Sequence, residues 1–329
     1  DGLFPHFNWL TTPDGGTYRG KGGPPGSVDG DWGNDEFLIR QAQQRHLLQV
    51  GYADTLLGGL IDRLEEQGVW DDAVVVVTAD HGISFTAGQP KRTPTDEIVD
   101  EIYRIPVFVR VPGEREGEVD DSNVLNTDLL PTLVDVLGID TDWEFDGRSL
   151  FGDEPPPADK PVFYASGPDD VSSSLDGLFA VVERNHDRFP EPGWRGVAAV
   201  GVLGRHVGRA TSDLRIEDLP ASVDPDASWR LEDPEALLGV PDVGGRIPLV
   251  ITGTLHLDAS NDPFEEALLV VNGTVAGVAD TSRAGPGRWD VTGLVDFQQF
   301  RAGENHVELL LLGDGADDPL LYRVPLDEG

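Results

Sequence analysis

The apolar and polar positions divide the chain into two textures. From Asn34 onward, NDEFLIRQAQQRH through DRLEEQG has a helical pattern, with Ala53, Leu57, Leu60, Ile61 and Leu64 on one stripe. Asn34 is placed to cap the first amides, and Asp35 and Glu36 suit the positive end of the helix. Gly68 stands where a left-handed C-terminal cap belongs. Asp71-Asp72 then turn the chain into AVVVVTA, a β-branched run without polar alternation. Such a run predicts a strand covered on both faces, as in a parallel sheet. IPVFVRVPG (105–113) reads as a second strand. TDLLPTLVDVLG follows as a helix, with Thr127 as cap, Gly138 as stop, and Leu130, Leu133, Val134 and Leu137 as its buried face. SSSLDGLFAVVERNHDRF gives another amphipathic helix through Leu175, Leu178, Phe179 and Val182.

Beyond about residue 215 the pattern shortens. IPLVITGTLHLDAS, EALLVVNGTVAGVAD and ENHVELLLLGD are β-like runs broken by Gly, Asn and Asp, and Asn272-Gly273 is a hairpin signal. The expected architecture is α/β, a mostly parallel sheet flanked by helices, followed by a β-rich module. The expected division is 1–160 for the α/β part, 161–215 for a helical linking segment and 216–329 for a β-sandwich-like module, with DEPPPADKP (153–161) closing the first. Residues 11–33, rich in Gly and Pro, read as a loop.

Composition narrows the chemistry. The formal net charge of −36 argues against a nucleic-acid partner. It also repels anionic substrates, so a sulfate or phosphate site needs a metal or local Lys and Arg to reverse the field. There is no Cys, which excludes disulfides and thiolate metal sites. No apolar run is long enough to span a bilayer. The chain has no Met, so Asp1 is not read as a translation start, and a processed or partial chain is expected.

Against this background VVVVTADHG (74–82) stands out. Asp80 and His81 fall at the carboxyl end of a strand, where open α/β sheets bind ligands. Gly82 allows a tight turn that aims both side chains at one ion. A carboxylate with an imidazole suits Zn²⁺ or Mn²⁺, and is less natural for an all-oxygen Ca²⁺ site. An isolated strand-end turn, with Asp capping amides and His exposed, is the competing structural explanation. A catalytic metal also needs about three protein ligands, so the pair alone does not complete a site.

VVVVTADHG, the preceding YADTLLGGLIDRLEEQGVWDD, RIPVFVRVPG, NTDLLPTLVDVLGI and DGRSL resemble, in that order and at fitting intervals, the second half of a sulfatase-type domain of the alkaline phosphatase superfamily. FPHFNW near the start is similar to that family's His-x-Pro-aromatic segment, with Asn8 where Pro is usual. The likeness covers roughly residues 1–150, and its nearest form is that of membrane-anchored sulfatase-like proteins of actinobacteria.

The resemblance implies a metal-dependent sulfatase acting on sulfate esters, or a relative hydrolysing or transferring phosphoglycerol- or phosphoethanolamine-type phosphoesters. A non-catalytic envelope-binding relative is the alternative of a different class. It implies one divalent ion (Ca²⁺, Mn²⁺ or Zn²⁺) on Asp80 and His81. It places His6, Lys91 and Arg92 against the sulfate or phosphate group. It also implies a nucleophile upstream of this chain, membrane attachment through segments outside it, and a location on the extracytoplasmic face of the membrane. Of the remaining candidates, His46 is read as packing, Arg148 as a loop tie made by ion pairing, and His206 with Arg205 and Arg209 as a surface basic cluster.

Overall fold

The computed structural model describes residues 27–28, 31–114, 116–157, 159–164, 167–172, 174–220, 224–238, 240, 249–258, 266–313 and 319–327. His6 lies outside them, as does most of the Gly- and Pro-rich stretch. The chain is α/β with a β-rich C-terminal portion, and it forms two compact units. One takes in Asp31–Gly33 and Asp54–Arg184; the other takes in Asn34–Ala53 and Asn185–Gly329.

Two-residue strands β1 (Ser27–Val28) and β2 (Asp31–Trp32) precede the long helix α1 (Glu36–Glu66). Its cap is Asp35, one residue later than expected, whose Oδ1 accepts the Leu38 amide at 3.1 Å. At the other end Gly68 has φ +65°. The amides of Gly68 and Val69 donate to the carbonyls of Glu65 and Leu64, the hydrogen-bond pattern of a Schellman stop. The expected apolar stripe is only half-realised: Leu57, Ile61 and Leu64 are half-buried, whereas Ala53 and Leu60 are exposed. The first half of the helix instead buries Gln41, Gln43, Gln44 and Arg45 beside Ile39 and Leu48. Two of these polar groups are paired with distant segments: the Gln44 amide donates to the Val197 carbonyl at 2.7 Å and that of Gln43 to Asn185 Oδ1 at 2.9 Å.

In the unit that holds residues 54–184, β3 (Val75–Thr78) is followed by helix α2 (Val99–Tyr103) and strand β4 (Val107–Arg110). The two strands pair antiparallel, Val75 opposite Arg110 and Thr78 opposite Val107. The valine run led to a strand covered on both faces in a parallel arrangement; here its side chains are half-buried and Phe108 is 65% exposed. Arg110 fixes the entry to β3, donating to the carbonyls of Trp70 (2.7 Å) and Ala73 (3.1 Å) and stacking 4.1 Å from the Trp70 ring.

Helix α3 (Leu129–Val136) starts from a 3₁₀ turn at Asn126–Asp128. Asp128, not Thr127, organises that start: Oδ2 accepts the Leu125 amide at 2.9 Å and Oδ1 the Arg148 amide at 3.0 Å. Thr132 Oγ1 accepts the Leu150 amide at 2.9 Å, so DGRSL and NTDLLPT form one hydrogen-bonded assembly. Gly147 is required there, since a Cβ would lie 2.3 Å from the Thr127 carbonyl oxygen. The face that α3 buries is Pro131–Thr132, while Leu130 and Leu137 are exposed, contrary to the helical-stripe expectation. Gly138 closes the helix at φ +62°. The hairpin β5 (Asp159–Tyr164) and β6 (Gly167–Ser172) follows the proline-rich stretch, where Asn123 donates to the Pro157 and Asp159 carbonyls and Lys160 to that of Val124. Helix α4 (Asp176–Arg188) forms as expected, but Phe179 and Val182 of its predicted inner face are exposed.

The C-terminal portion contains helix α5 (Gly193–Ala198), strands β7 (Ile216–Asp218) and β8 (Ser228–Leu231), helix α6 (Glu235–Leu238), and strands β9 (Val250–His256), β10 (Glu266–Val271), β11 (Thr274–Gly285), β12 (Arg288–Val295), β13 (Val307–Leu312) and β14 (Leu321–Arg323). The eight strands make one sheet in the order β7-β14-β13-β10-β11-β12-β9-β8, antiparallel except for β14 with β7. The sheet curls far enough for Trp229 of β8 to bridge Leu326, just past β14. Asn272 (φ 50°) and Gly273 (φ 82°) form the expected two-residue turn between β10 and β11, whose primed geometry needs positive φ at both positions. Leu268 to Val271 of β10 are fully buried, so both faces of this central strand are covered.

Candidate active site

The Asp-His turn leaves β3 with its backbone tied from three sides. Thr78 Oγ1 donates to the Pro106 carbonyl at 2.9 Å, which holds the strand end to the entry of β4. Asn126 Nδ2 reaches the carbonyls of Ala79 and Asp80, each at 3.4 Å. The Gly82 amide donates to the Ile102 carbonyl of α2 at 2.7 Å. Glycine is obligatory at this position, because a Cβ would fall 1.9 Å from the Glu101 carbonyl oxygen.

Within the turn, Asp80 Oδ1 accepts the His81 amide at 2.9 Å. His81 Nδ1 lies 2.8 Å from the Gly82 carbonyl oxygen. A carbonyl only accepts, so the proton of the neutral ring sits on Nδ1 and the lone pair on Nε2. That nitrogen faces Asp80 Oδ2 at 3.6 Å. Two acceptors at this separation repel unless a cation lies between them, either a proton on Nε2 or a metal. A metal about 2.1 Å from two donors at the tetrahedral angle sets those donors about 3.4 Å apart. The donor set and spacing therefore fit a divalent ion, and the Nδ1–H···O=C bond is the outer-shell support that metal-bound histidines commonly have. Both side chains are open to solvent, 88% for Asp80 and 40% for His81. Among the described residues no group of three His, Asp or Glu comes together that could hold a metal ion. Asp80 and His81 alone therefore do not complete such a site.

After Gly82 the chain makes a loop that returns on itself, the Ser84 amide donating to the Lys91 carbonyl at 2.9 Å. This pairing brings Lys91 back to the start of the loop, with exposed Arg92 beside it. Burial pushes the Lys91 ammonium below the ordinary lysine range; Asp31 opposes that shift and Arg92 adds to it. Glu101 clamps the loop from α2, accepting the Phe85 amide (3.3 Å) and the Thr86 hydroxyl (3.1 Å), with Arg184 paired to the same carboxylate.

The structure brings Asp80 and His81 together and puts Lys91 and Arg92 on the loop that follows them. Asn126 and Glu101 carry no local pattern that marks them; their roles arise from pairings across 46 and 16 positions of sequence. Arg148 ties its loop as expected, but through the Ser149 and Glu154 carbonyls rather than by an ion pair. His206 is no surface residue: it is 1% exposed, with Arg209 Nη1 3.3 Å from its Nδ1. Among the described residues no helix is long and apolar enough to cross a membrane.

Residues 5–139 match the family model described as Sulfatase. A multifunctional alkaline phosphatase superfamily protein, PehA, of Trinickia caryophylli is 30% identical over 118 residues, 35% of this chain and 23% of that protein. An extracellular sulfatase SULF-1 homolog of Drosophila melanogaster is 34% identical over 109 residues, 32% of this chain and 9% of that protein. A lipoteichoic acid synthase-like protein, YvgJ, of Bacillus subtilis is 29% identical over 125 residues, 34% of this chain and 20% of that protein. The chain thus spans about a quarter or less of the length of these relatives. No solved structure matches. Residues 5–139, the part of the chain that carries the Asp-His turn, match the Sulfatase family model, and the chain is similar to sulfatases and other members of the alkaline phosphatase superfamily.

Proposed function

We propose that this chain is part of a metal-dependent hydrolase of sulfate esters, with Asp80 and His81 as two of the metal's ligands. The observation that carries the reading is the 3.6 Å approach of Asp80 Oδ2 to a His81 nitrogen whose proton is directed to the far side of the ring. Further ligands come from residues outside those described. When bound, a divalent ion supplies Lewis-acid polarisation of the ester oxygens. Asp80 and His81 hold their donor atoms toward it, and the carbonyl of Gly82 keeps the imidazole in the ligating tautomer. Lys91 and Arg92, with His6, contact the transferring group and offset its charge. Such local cations are needed on a chain whose net charge is −36. The chain has no Cys and no C-x-P-x-R or S-x-P-x-R segment, so in this reading the nucleophile comes from sequence beyond these 329 residues. The protein acts on the extracytoplasmic face of the membrane and is attached through segments outside this chain.

Phosphoester transfer or hydrolysis is the second reading, favoured by the likeness to the lipoteichoic acid synthase-like protein. The two are separated by assaying the intact protein on matched aryl sulfate and aryl phosphate esters. Sulfate ester turnover that falls at least tenfold in His6→Ala and in Lys91→Ala is expected. Turnover confined to phosphate esters supports the second reading, and unchanged kinetics in both variants removes those residues from the site. The isolated 329-residue chain is expected to turn over neither ester, and robust activity would place the nucleophile within it.

A further inference from the structure

Trp32 is among the most buried side chains of the unit that carries the Asp-His turn, at 2% exposure, and its indole and its backbone amide both bond to the loop after that turn. Its indole Nε1–H donates to the Ser84 carbonyl at 2.6 Å. Its backbone amide donates to the Gln89 carbonyl at 3.1 Å, and the neighbouring Gly33 carbonyl accepts the Gly88 amide at 2.9 Å. Its ring packs against Phe85 at 5.6 Å between centroids. The remaining face lies under the Lys91 ammonium, 4.7 Å from the ring centroid. The residue therefore grips both ends of the loop, Ser84 at its start and Gln89 near its close, and seats the cation that the loop returns to the turn.

We infer that Trp32 is a positioning residue that presents Lys91 to the anionic group of the substrate. The inference rests on the reading of Lys91 as a substrate contact, and it assigns to Trp32 a role that this reading does not contain. A free lysine head carries about 2 kcal/mol of rotamer entropy that anion binding must suppress. An aromatic face beneath the ammonium removes part of that freedom in advance. It also replaces water on one side of the ammonium, and a partly desolvated cation attracts an anion more strongly than a hydrated one. The Ser84 carbonyl that accepts the indole proton belongs to the residue whose amide pairs with Lys91, so ring and backbone fix the same strand of the loop.

The chain has three lysines, Lys21, Lys91 and Lys160, so isotope-labelled lysine gives a spectrum simple enough to assign by Lys→Arg variants. The experiment is NMR of the lysine side chains in the 329-residue chain, titrated with inorganic sulfate, for wild type, Trp32→Phe and Trp32→Leu. Both variants lose the indole N–H, and only Phe keeps an aromatic face, so their difference isolates the ring. The expected wild-type result is an upfield ring-current shift of the Lys91 ε-methylene and a further shift on adding sulfate. Trp32→Phe is expected to bind sulfate within about threefold of wild type, and Trp32→Leu about two- to thirtyfold more weakly, the range a cation–π contact spans. Equal affinity in all three proteins, or equal losses in Phe and Leu, overturns the inference alone while Lys91 still answers sulfate. A Lys91 signal that shows the ring shift but ignores sulfate overturns the inference together with the reading of Lys91 as a substrate contact. An unshifted Lys91 signal in wild type overturns the seating itself, and needs no variant to fold.

Discussion

Replacing Gly82 with alanine tests whether the Asp-His turn is built by backbone contact with α2. The new Cβ would start 1.9 Å from the Glu101 carbonyl oxygen, against an ordinary contact of about 3.5 Å. The two segments must separate by more than about 1 Å, and the 2.7 Å bond from the Gly82 amide to the Ile102 carbonyl cannot survive that movement. Overpacking of this kind costs about 1–3 kcal/mol, and the lost hydrogen bond adds about 0.5–1.5 kcal/mol. The total, about 1.5–4.5 kcal/mol, lowers the melting temperature of a unit this size by on the order of 10 °C. Calorimetry against Gly117→Ala provides the control, since a Cβ at Gly117 meets nothing within 4 Å and should shift Tm by under about 2 °C. Equal melting temperatures for the two variants would refute the claim that this close approach shapes the turn.

Three further outcomes follow from the same geometry. Asp128→Ala orphans the amides of Leu125 and Arg148 at a buried site and should cost about 2–4 kcal/mol in urea unfolding, with Asp128→Asn recovering part of it. Asn126→Ala removes two long bonds to the Ala79 and Asp80 carbonyls; stability should change by under about 1 kcal/mol while metal affinity of the intact protein, measured by calorimetric titration, falls about tenfold. Glu101→Ala releases the Phe85 amide and the Thr86 hydroxyl, so limited proteolysis should cut within residues 85–92 at least several times faster than in wild type.

What the sequence made legible was local. The stop of α1 at Gly68, the stop of α3 at Gly138 and the Asn272-Gly273 hairpin each rest on a residue whose backbone freedom announces itself. The turn after the valines was legible for the same reason, through Gly82. Pairings between distant segments were not. Asp128 displaced Thr127 as organiser of α3 because its carboxylate also serves the Arg148 amide, twenty positions away. Helical spacing marked Leu130 and Leu137 as core, yet the packed side of α3 is the one where Thr132 receives the Leu150 amide. Trp32 fell within a stretch read as loop, and nothing in its neighbours signals that its ring lies beneath Lys91. The valine run showed hydrophobic demand but not its partner, and its antiparallel pairing with β4 has no counterpart in the local pattern.

Asp80 and His81 are proposed to share one cation, and metal analysis of the purified intact protein tests this most directly. The prediction is about one divalent ion per chain in wild type, lost or weakened at least tenfold in both Asp80→Ala and His81→Ala with the fold preserved by circular dichroism. Wild-type occupancy retained by both variants would contradict it.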